Sequence, residues 1–293
     1  MFLRKIVIMT KIGLFTHAFF FCAALTLVSC DESAMNEVSN KEQFDLSLDE
    51  ANQNADANDL THELGTVRKN IEQAANLYKR LYSAECPFNS NLVSDVFPSF
   101  NTSRVKALAM GKYASMFVYT ASYEQTQYAN SYLTEVLSIS SELGIRDAFN
   151  EDQLRMLYDP DPAIDKSAVL TKAYLKATEL MYSEEKALLV SYMVLGGWLQ
   201  GMKLSYEVCG NYLTDKNVAL NLYDQTYSYY NCVRLLNESK DKMDSPAVYI
   251  KSLDTISPEI ELLVKSRGNI DTELFDQLRK KILVLENEIN SHN

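Results

Sequence analysis

The hydrophobic pattern is most continuous over residues 187–199, which read ALLVSYMVLGGWL. Ser191 is the one residue of this segment that is neither apolar nor glycine. A helix that is apolar on every side has to lie inside a protein or a membrane. Such a segment rises about 20 Å, whereas a membrane span needs roughly twenty residues. The pattern therefore predicts a buried central helix.

Polar residues mark the expected limits of this central helix. Residues 183–185 (Ser-Glu-Glu) are typical of a helix start, and residues 210–211 (Gly-Asn) are typical of a helix end. Gln200, Lys203 and Glu207 follow one another at spacings of three and four, so they share one helix face. This polar stripe predicts that the C-terminal half of the helix reaches the surface.

Three glycines, Gly196, Gly197 and Gly201, lie inside the predicted central helix. Each costs about 1 kcal/mol relative to alanine, so a packing or functional reason is expected. A glycine allows the backbone of a neighbouring helix to approach closely, and tight helix packing is the favoured interpretation. The alternative is a pocket with a wall formed by Trp198, which is the single tryptophan of the chain.

The rest of the chain from about residue 60 also follows a helical pattern. Apolar positions at helical spacing predict helices over residues 61–84, 103–143 with an interruption near 120, 146–158, 162–182, 183–209, 214–239, from 245 with a break at 257–258, and 271–290. These segments make eight or nine helices joined by mostly short loops. The fold class is therefore all-α, as a single-domain helical bundle or a short array of antiparallel helix hairpins.

A weak internal repeat raises the further possibility of a solenoid. Residues 123–126 read Tyr-Glu-Gln-Thr, and residues 223–226 read Tyr-Asp-Gln-Thr. Both copies fall in segments predicted to be helical, so a duplicated hairpin is one interpretation.

The N-terminal residues have the form of a lipoprotein signal peptide. A basic leading region with Arg4, Lys5 and Lys11 precedes a mostly apolar stretch. The stretch ends at residues 27–30 (Leu-Val-Ser-Cys), which match a lipobox. The sequence therefore predicts a signal peptide over residues 1–29, cleavage between Ser29 and Cys30, and lipidation of Cys30. The alternative is an N-terminal transmembrane helix.

Residues 30–59 are predicted to be a flexible acidic tether before a helical domain at residues 60–293. Between residues 31 and 59 there are nine acidic side chains and a single basic one, Lys41. Few large apolar residues are present, so burial cannot offset the entropy of ordering this segment. The whole chain has a net charge of −11, which argues against nucleic acid as a partner.

The chain offers few residues for metal binding or catalysis. After residue 29 the histidines are His62 and His292, too few for a histidine triad or a histidine-rich zinc site. Asp159, Asp161 and Asp165 suggest calcium, but the intervening prolines fit turn and capping roles better. We therefore predict no catalytic residues, no metal ion and no cofactor.

Three cysteines follow the predicted lipidation site: Cys86, Cys209 and Cys232. In an antiparallel hairpin, Cys209 and Cys232 would lie roughly 25 Å apart, which is too far for a disulfide. Three buried thiols are expected, with a disulfide from Cys86 to one of the other two as the alternative.

Tyrosine is unusually frequent, with 18 copies in the chain. Tyr223, Tyr227 and Tyr230 fall on one face of a predicted helix, with Tyr229 beside them. Buried, this stripe would be core. Exposed, it could stack on sugar rings or anchor a protein partner.

Several motifs between residues 110 and 209 resemble those of a group of helical lipoproteins of Bacteroidota. They are residues 119–123 (Tyr-x-x-x-Tyr), 141–145 (Ser-Glu-Leu-Gly-Ile), 165–167 (Asp-Lys-Ser) and, above all, 196–201 (Gly-Gly-Trp-Leu-Gln-Gly). The resemblance implies an all-helical fold and a cell-envelope location, and it implies no reaction. Acidic residues after the lipidated cysteine, here Asp31 and Glu32, are associated in such bacteria with export to the cell surface. Gln200 departs from the acidic residue that the group carries there.

Taken together, the sequence predicts a lipid-anchored envelope protein, placed in the outer membrane at its inner or outer surface. It is expected to act by binding an envelope protein, a peptide or a glycan. The alternatives are a structural subunit of an outer-membrane complex and a carboxylate-dependent glycan hydrolase. The candidate binding or packing patch consists of Trp198, Gly197, Gly201, Gln200, Tyr223, Tyr227 and Tyr230.

Overall fold

A computed structural model of the chain describes residues 60–183, 186–209, 216–238 and 246–291. Within these ranges there are ten α-helices and no β-strand, so the all-α fold class is confirmed with one helix more than the eight or nine expected. The helices are α1 (Leu60–Ser83), α2 (Ser103–Ser122), α3 (Thr126–Glu142), α4 (Glu151–Tyr158), α5 (Lys166–Ser183), α6 (Ala187–Cys209), α7 (Lys216–Asn237), α8 (Ala247–Asp254), α9 (Ser257–Ser266) and α10 (Thr272–Ser291). Ser29, Cys30, the predicted tether and the predicted helix end at residues 210–211 lie outside the described residues.

Helix α6 is the central helix, as the apolar pattern predicts. Nearly all of its side chains between Val190 and Cys209 are buried, and it packs against α1, α2, α5, α7 and α10. Across the described ranges, no helix combines the length and the apolar character needed for a membrane span, α6 included. Because α1 also contacts α2, α5 and α7, contacts are not restricted to neighbours in sequence as they are in a solenoid.

The backbones of α2 and α6 are in direct contact where they cross. A Cβ atom added to Gly111 of α2 would lie 2.0 Å from the carbonyl oxygen of Met193, and one added to Gly196 of α6 would lie 2.1 Å from that of Leu108. Real Cβ atoms essentially never approach other atoms this closely. The predicted role of the glycines in tight helix packing is therefore confirmed at Gly196.

The polar stripe of α6 reaches the surface only in part. Gln200 is buried, and Lys203 and Glu207 are half-buried beneath the C-terminal helix α10. Lys203 forms an ion pair with Glu286 at 2.9 Å, and Arg279 forms one with Glu207 at 3.0 Å. Lys203 and Glu207 therefore serve as a docking face for α10, which a pattern read along one helix cannot distinguish from a solvated face.

Three predicted helix boundaries are wrong for local reasons. Ser183 is the last residue of α5 and does not cap α6, which begins at Ala187. Residues 146–158 are not one helix, because Asn150 caps α4 and separates it from a short 3-10 turn. Helix α5 begins at Lys166 rather than near residue 162, because the aspartates of the preceding segment hold it in turns.

The four-residue repeat does not mark a structural repeat. Residues 123–125 form the turn between α2 and α3, where Glu124 has a positive φ of 56°. Residues 223–226 lie inside α7. The same four-residue pattern therefore adopts two different conformations.

Cys86 and Cys209 form a disulfide, with Cα atoms 5.4 Å apart, so the prediction of three buried thiols is wrong. Cys232 is the buried free thiol. Cys86 follows the end of α1, and Cys209 is the last residue of α6. Gly201 of α6 contacts Leu77 of α1. Gly201 precedes Cys209 by eight residues and Leu77 precedes Cys86 by nine, so α1 and α6 run parallel. This arrangement depends on tertiary packing that the helical pattern does not reveal.

We predict that Gly196→Ala lowers the free energy of unfolding by about 3 kcal/mol or more, because the methyl group has to displace the backbone of α2. Gly65→Ala is the matched control. No atom lies within 4 Å of the Cβ position there, so alanine should stabilise helix α1 by roughly 0.5–1 kcal/mol. Urea unfolding followed by Trp198 fluorescence measures both values. A Gly196→Ala loss below about 1 kcal/mol would contradict the close contact.

Thiol counting tests the disulfide directly. A chain from residue 30 with Cys30→Ala, unfolded without reductant, should react with an alkylating reagent at Cys232 alone. After reduction it should react at three cysteines. Alkylation of Cys86 and Cys209 in the unreduced protein would contradict the disulfide.

Candidate ligand-binding site

A partly open cavity of about 70 Å³ lies between α1, α2, α5, α6 and α7. It exists because small residues face one another there: Ala74 and Ala75 on α1, Gly111 and Ala114 on α2, and Gly197 on α6. These residues bring the helices together without side chains that fill the remaining space. The other apolar walls come from Ile71, Val118, Leu170, Met193, Val194 and Trp198.

Most polar groups that line the cavity are engaged in structural hydrogen bonds. The Ser115 hydroxyl donates to the carbonyl oxygen of Gly197 at 3.1 Å, and the Tyr174 hydroxyl donates to that of Met110 at 2.6 Å. The indole N–H of Trp198 donates to the carbonyl oxygen of Gln225 at 3.2 Å. These bonds tie α2, α5, α6 and α7 together around the cavity.

Four further polar side chains of the cavity lining are buried and each has an atom without a hydrogen-bond partner in the described part of the chain. These atoms are Asn70 Nδ2, the Tyr78 hydroxyl, Ser167 Oγ and Gln225 Nε2. The residues are 4%, 1%, 8% and 1% exposed, respectively, so bulk water does not solvate them. A buried polar group without a partner costs about 1–3 kcal/mol. Such groups indicate a partner from outside the protein, either water or a ligand.

The side-chain amide of Asn70 is oriented by one hydrogen bond and has one group without a partner. Its Oδ1 atom accepts a hydrogen bond from Asn231 Nδ2 at 3.0 Å, which orients the side chain. The Nδ2 group is left without an acceptor. Asn70 is therefore held in place by α7 with its donor still available.

Tyr78 is protonated and can act as a donor. Burial raises the pKa of its hydroxyl above the ordinary value, and the neighbouring Ser115 hydroxyl lowers it by less. The Ser115 hydroxyl donates to the carbonyl oxygen of Gly197, and the Tyr78 hydroxyl has no hydrogen bond of acceptable geometry among the described residues. The Tyr78 hydroxyl also lies near Gly201 of α6.

A surface groove of about 600 Å³ adjoins the cavity, and Val118 and Ser167 line both spaces. The groove runs between the C-terminal ends of α1 and α2 and the segment that precedes α5. Its polar lining includes Lys79, Asp161 and Lys166, and Tyr82 contributes an aromatic ring that is 53% exposed. A ligand at this site would therefore meet a polar outer region and a mainly apolar inner one.

The aspartates near α5 shape the groove. Asp159 accepts a hydrogen bond from the backbone of Asp161, and Asp161 accepts one from Ala163. Asp165 caps α5 by accepting from Ala168 and pairs with Lys79 at 2.7 Å. The predicted turn and capping roles are thus confirmed. In the part of the chain that the structure describes, no cluster of three or more potential metal ligands is found.

Hydrogen bonding sets the charge state of Asp165 at the edge of the groove. Partial burial raises its pKa, but hydrogen bonds from Lys79 and from backbone N–H groups at the start of α5 lower it by more. The net pKa lies below its ordinary value. Asp165 therefore stays ionised at neutral pH and holds α5 against α1.

The structure places only part of the predicted patch at this site. Trp198 and Gly197 line the cavity, and Gly201 is in contact with Leu77 and Tyr78 behind its wall. Gln200 lies elsewhere, with its Nε2 group 3.1 Å from the sulfur of Met116.

The tyrosine stripe of α7 does not line the cavity. Tyr223, Tyr227 and Tyr230 are half-buried at the rim of the core. Lys69 lies over the ring of Tyr227, and Tyr230 packs edge-on against Tyr229. Tyr229 is the fully buried member, and its hydroxyl donates to the carbonyl oxygen of Leu253.

Sequence reasoning missed Asn70, Tyr78, Ser167 and Gln225. A usable signal was present for two of them, since each shares its helix face with large apolar residues. Asn70 follows Val67 by three residues on α1, and Gln225 lies between Leu222 and Tyr229 on α7. Polar residues at core positions are candidates for a site.

Comparison of the chain with protein-family models, with curated proteins and with solved structures gives no match in any of the three. The resemblance to helical lipoproteins of Bacteroidota, and the location that it implies, therefore stay predictions.

Proposed function

We propose that this protein is a lipid-anchored cell-envelope protein that acts by binding a small ligand, free or as part of a glycan or peptide. The observation that carries the binding function is the cavity with four buried polar atoms that have no partner among the described residues. Folding leaves these atoms unsatisfied at a cost, and a ligand that supplies the missing hydrogen bonds would recover it. The adjoining groove gives such a ligand room for its remaining atoms.

The lipobox supports the envelope location. Lipidation of Cys30 would tie the protein to a membrane, and the acidic residues that follow would keep the helical domain away from anionic lipid headgroups. An anchored binding domain of this kind would collect its ligand near the membrane. We place the protein in the outer membrane.

Binding is supported over hydrolysis by the chemistry of the site. No carboxylate is found among the described residues that line the inner cavity. Three carboxylates line the groove, and two of them, Asp161 and Asp165, accept backbone hydrogen bonds that shape the entrance; the third is Glu124. A glycan hydrolase would instead need a pair of carboxylates facing one bound sugar.

The structural-subunit alternative gains no supporting observation from the described surface. Large apolar side chains are exposed on seven different elements, one on each: Tyr82, Val96, Tyr158, Leu220, Val248, Leu262 and Val284. Apolar residues scattered singly are normal for a protein surface, whereas a permanent subunit interface is a large contiguous apolar face.

The anchor is tested by the Cys30→Ala variant of the full-length chain. We expect the variant to leave the membrane fraction and to lose labelling by a fatty-acid precursor, because the acylated thiol is gone. Cys22→Ala, within the predicted signal peptide, is the matched control and should behave as the wild type. A Cys30→Ala protein that remains membrane-bound and labelled would contradict the anchor.

Binding is tested by identifying what the protein carries when it is purified from its native envelope. Wild-type protein in a sugar-free detergent should release a small molecule on denaturation, detected by mass spectrometry. Ala74→Leu should not release this compound, because the larger side chain fills the cavity, and a half-buried position on α1 tolerates leucine. Ala247→Leu, at an exposed position on α8, is the control and should carry the compound. Release of nothing by the wild type, or of the same compound by all three proteins, would contradict the proposal.

A further inference from the structure

The residues that line the inner cavity limit the charge of the group that it can hold. No charged side chain is found among its described lining residues. A charged group placed there would lose its hydration with no opposite charge to compensate, which is strongly unfavourable. The group that enters the cavity is therefore neutral.

The free polar atoms limit its hydrogen-bonding pattern. Asn70 and Gln225 line the cavity, and their Nδ2 and Nε2 groups can only donate, so a group that binds to them has to offer an acceptor. The hydroxyls of Tyr78 and Ser167 can donate or accept, so they can also receive a hydrogen bond from an N–H group. A secondary amide presents this combination, with a carbonyl oxygen on one side and an N–H on the other.

The volume and the walls limit its size. About 70 Å³ is roughly half of the ~150 Å³ cavity that is known to hold benzene. The space is thus suited to a group of about four non-hydrogen atoms. The apolar walls formed by Ala114, Val194 and Trp198 suit a methyl group.

The groove indicates what the rest of the ligand looks like. It is larger than the cavity, at about 600 Å³, and it adjoins the cavity at Val118 and Ser167. Lys79, Asp161 and Lys166 offer hydrogen bonds to a polar ligand body, and the exposed ring of Tyr82 offers a stacking surface. A small polar molecule with a short amide branch meets both requirements.

We infer that the cavity binds the acetamido group of an N-acetylated small molecule, with the remainder of that molecule in the groove. This inference rests on the proposed binding function and specifies its ligand. Acetamido groups occur on N-acetylated amino sugars and on N-acetylated amino acids. The inference covers the group that both share, and the experiment separates the two sources.

The test uses the mature wild-type protein in a sugar-free detergent, with Trp198 fluorescence as the reporter. Trp198 is the single tryptophan of the chain and lines the cavity, so its emission should respond to occupancy. The probes are N-acetylglucosamine and N-acetylglycine, with glucose and glycine as controls that lack the acetamido group. At least one acetylated probe should bind about tenfold or more tightly than its control, as expected for gained hydrogen bonds to buried groups.

The responding probe identifies the source, since a response to N-acetylglucosamine alone indicates a sugar and a response to N-acetylglycine alone indicates an amino acid. Equal responses to the acetylated probes and to their controls would overturn the acetamido assignment. It would also be overturned if neither acetylated probe gave a response, either in fluorescence or in a ligand-observed NMR experiment. The proposed function would still stand if the native protein releases a different compound, so failures of the two proposals are distinguishable.

Two glutamine variants test whether the free donor is used. Gln225→Leu keeps the side-chain size and removes Nε2, so affinity for the responding probe should fall about tenfold. Loss of Nε2 should not lower the thermal stability, because that group has no protein partner in the described ranges. Gln200→Leu is the matched control, since Gln200 is buried outside the cavity lining, and its affinity should be unchanged. Unchanged affinity in Gln225→Leu would overturn the assignment of this site.

Discussion

The crossing of α2 and α6 is the constraint on which the rest of the fold depends. Gly111 and Gly196 allow the two backbones to touch, and no residue with a side chain fits at either position without a shift of one helix. The Ser115 hydroxyl bonds to the carbonyl of Gly197 beside this contact and fixes the relative position of the helices. Helices α1, α5, α7 and α10 then pack around α6, and the disulfide joins the C-terminal ends of α6 and of the parallel helix α1.

The same crossing explains why the protein has a cavity. Small residues that allow close helix contact leave unfilled space beside it, and Gly111, Gly197 and Ala114 all line that space. A core selected for stability alone would fill the space with apolar side chains, since partly satisfied polar groups weaken a core. Here polar side chains from α1, α2, α5 and α7 line it instead. Violations of packing rules in natural proteins concentrate at functional sites, which supports a ligand as the reason for the cavity.

The all-α class, the buried α6 and the role of Gly196 were predictable because they follow from periodicity and residue size. The covering of Lys203 by α10 and the pairing of Cys86 with Cys209 were not, because they depend on how helices distant in sequence pack. The site was predictable only in part. Trp198 stands out by composition, whereas Gln225 becomes informative once its position inside a buried face is known.

A high-resolution crystal structure of the protein purified from its native envelope, with nothing added, would show whether the cavity holds a ligand. We expect continuous density inside the cavity for a bound group of about four atoms, in contact with Gln225 Nε2 and Asn70 Nδ2. We also expect this density to extend past Ser167 into the groove. Separate water molecules that hydrogen-bond to all four free groups and leave the groove without a bound molecule would contradict the proposal that the cavity binds a ligand.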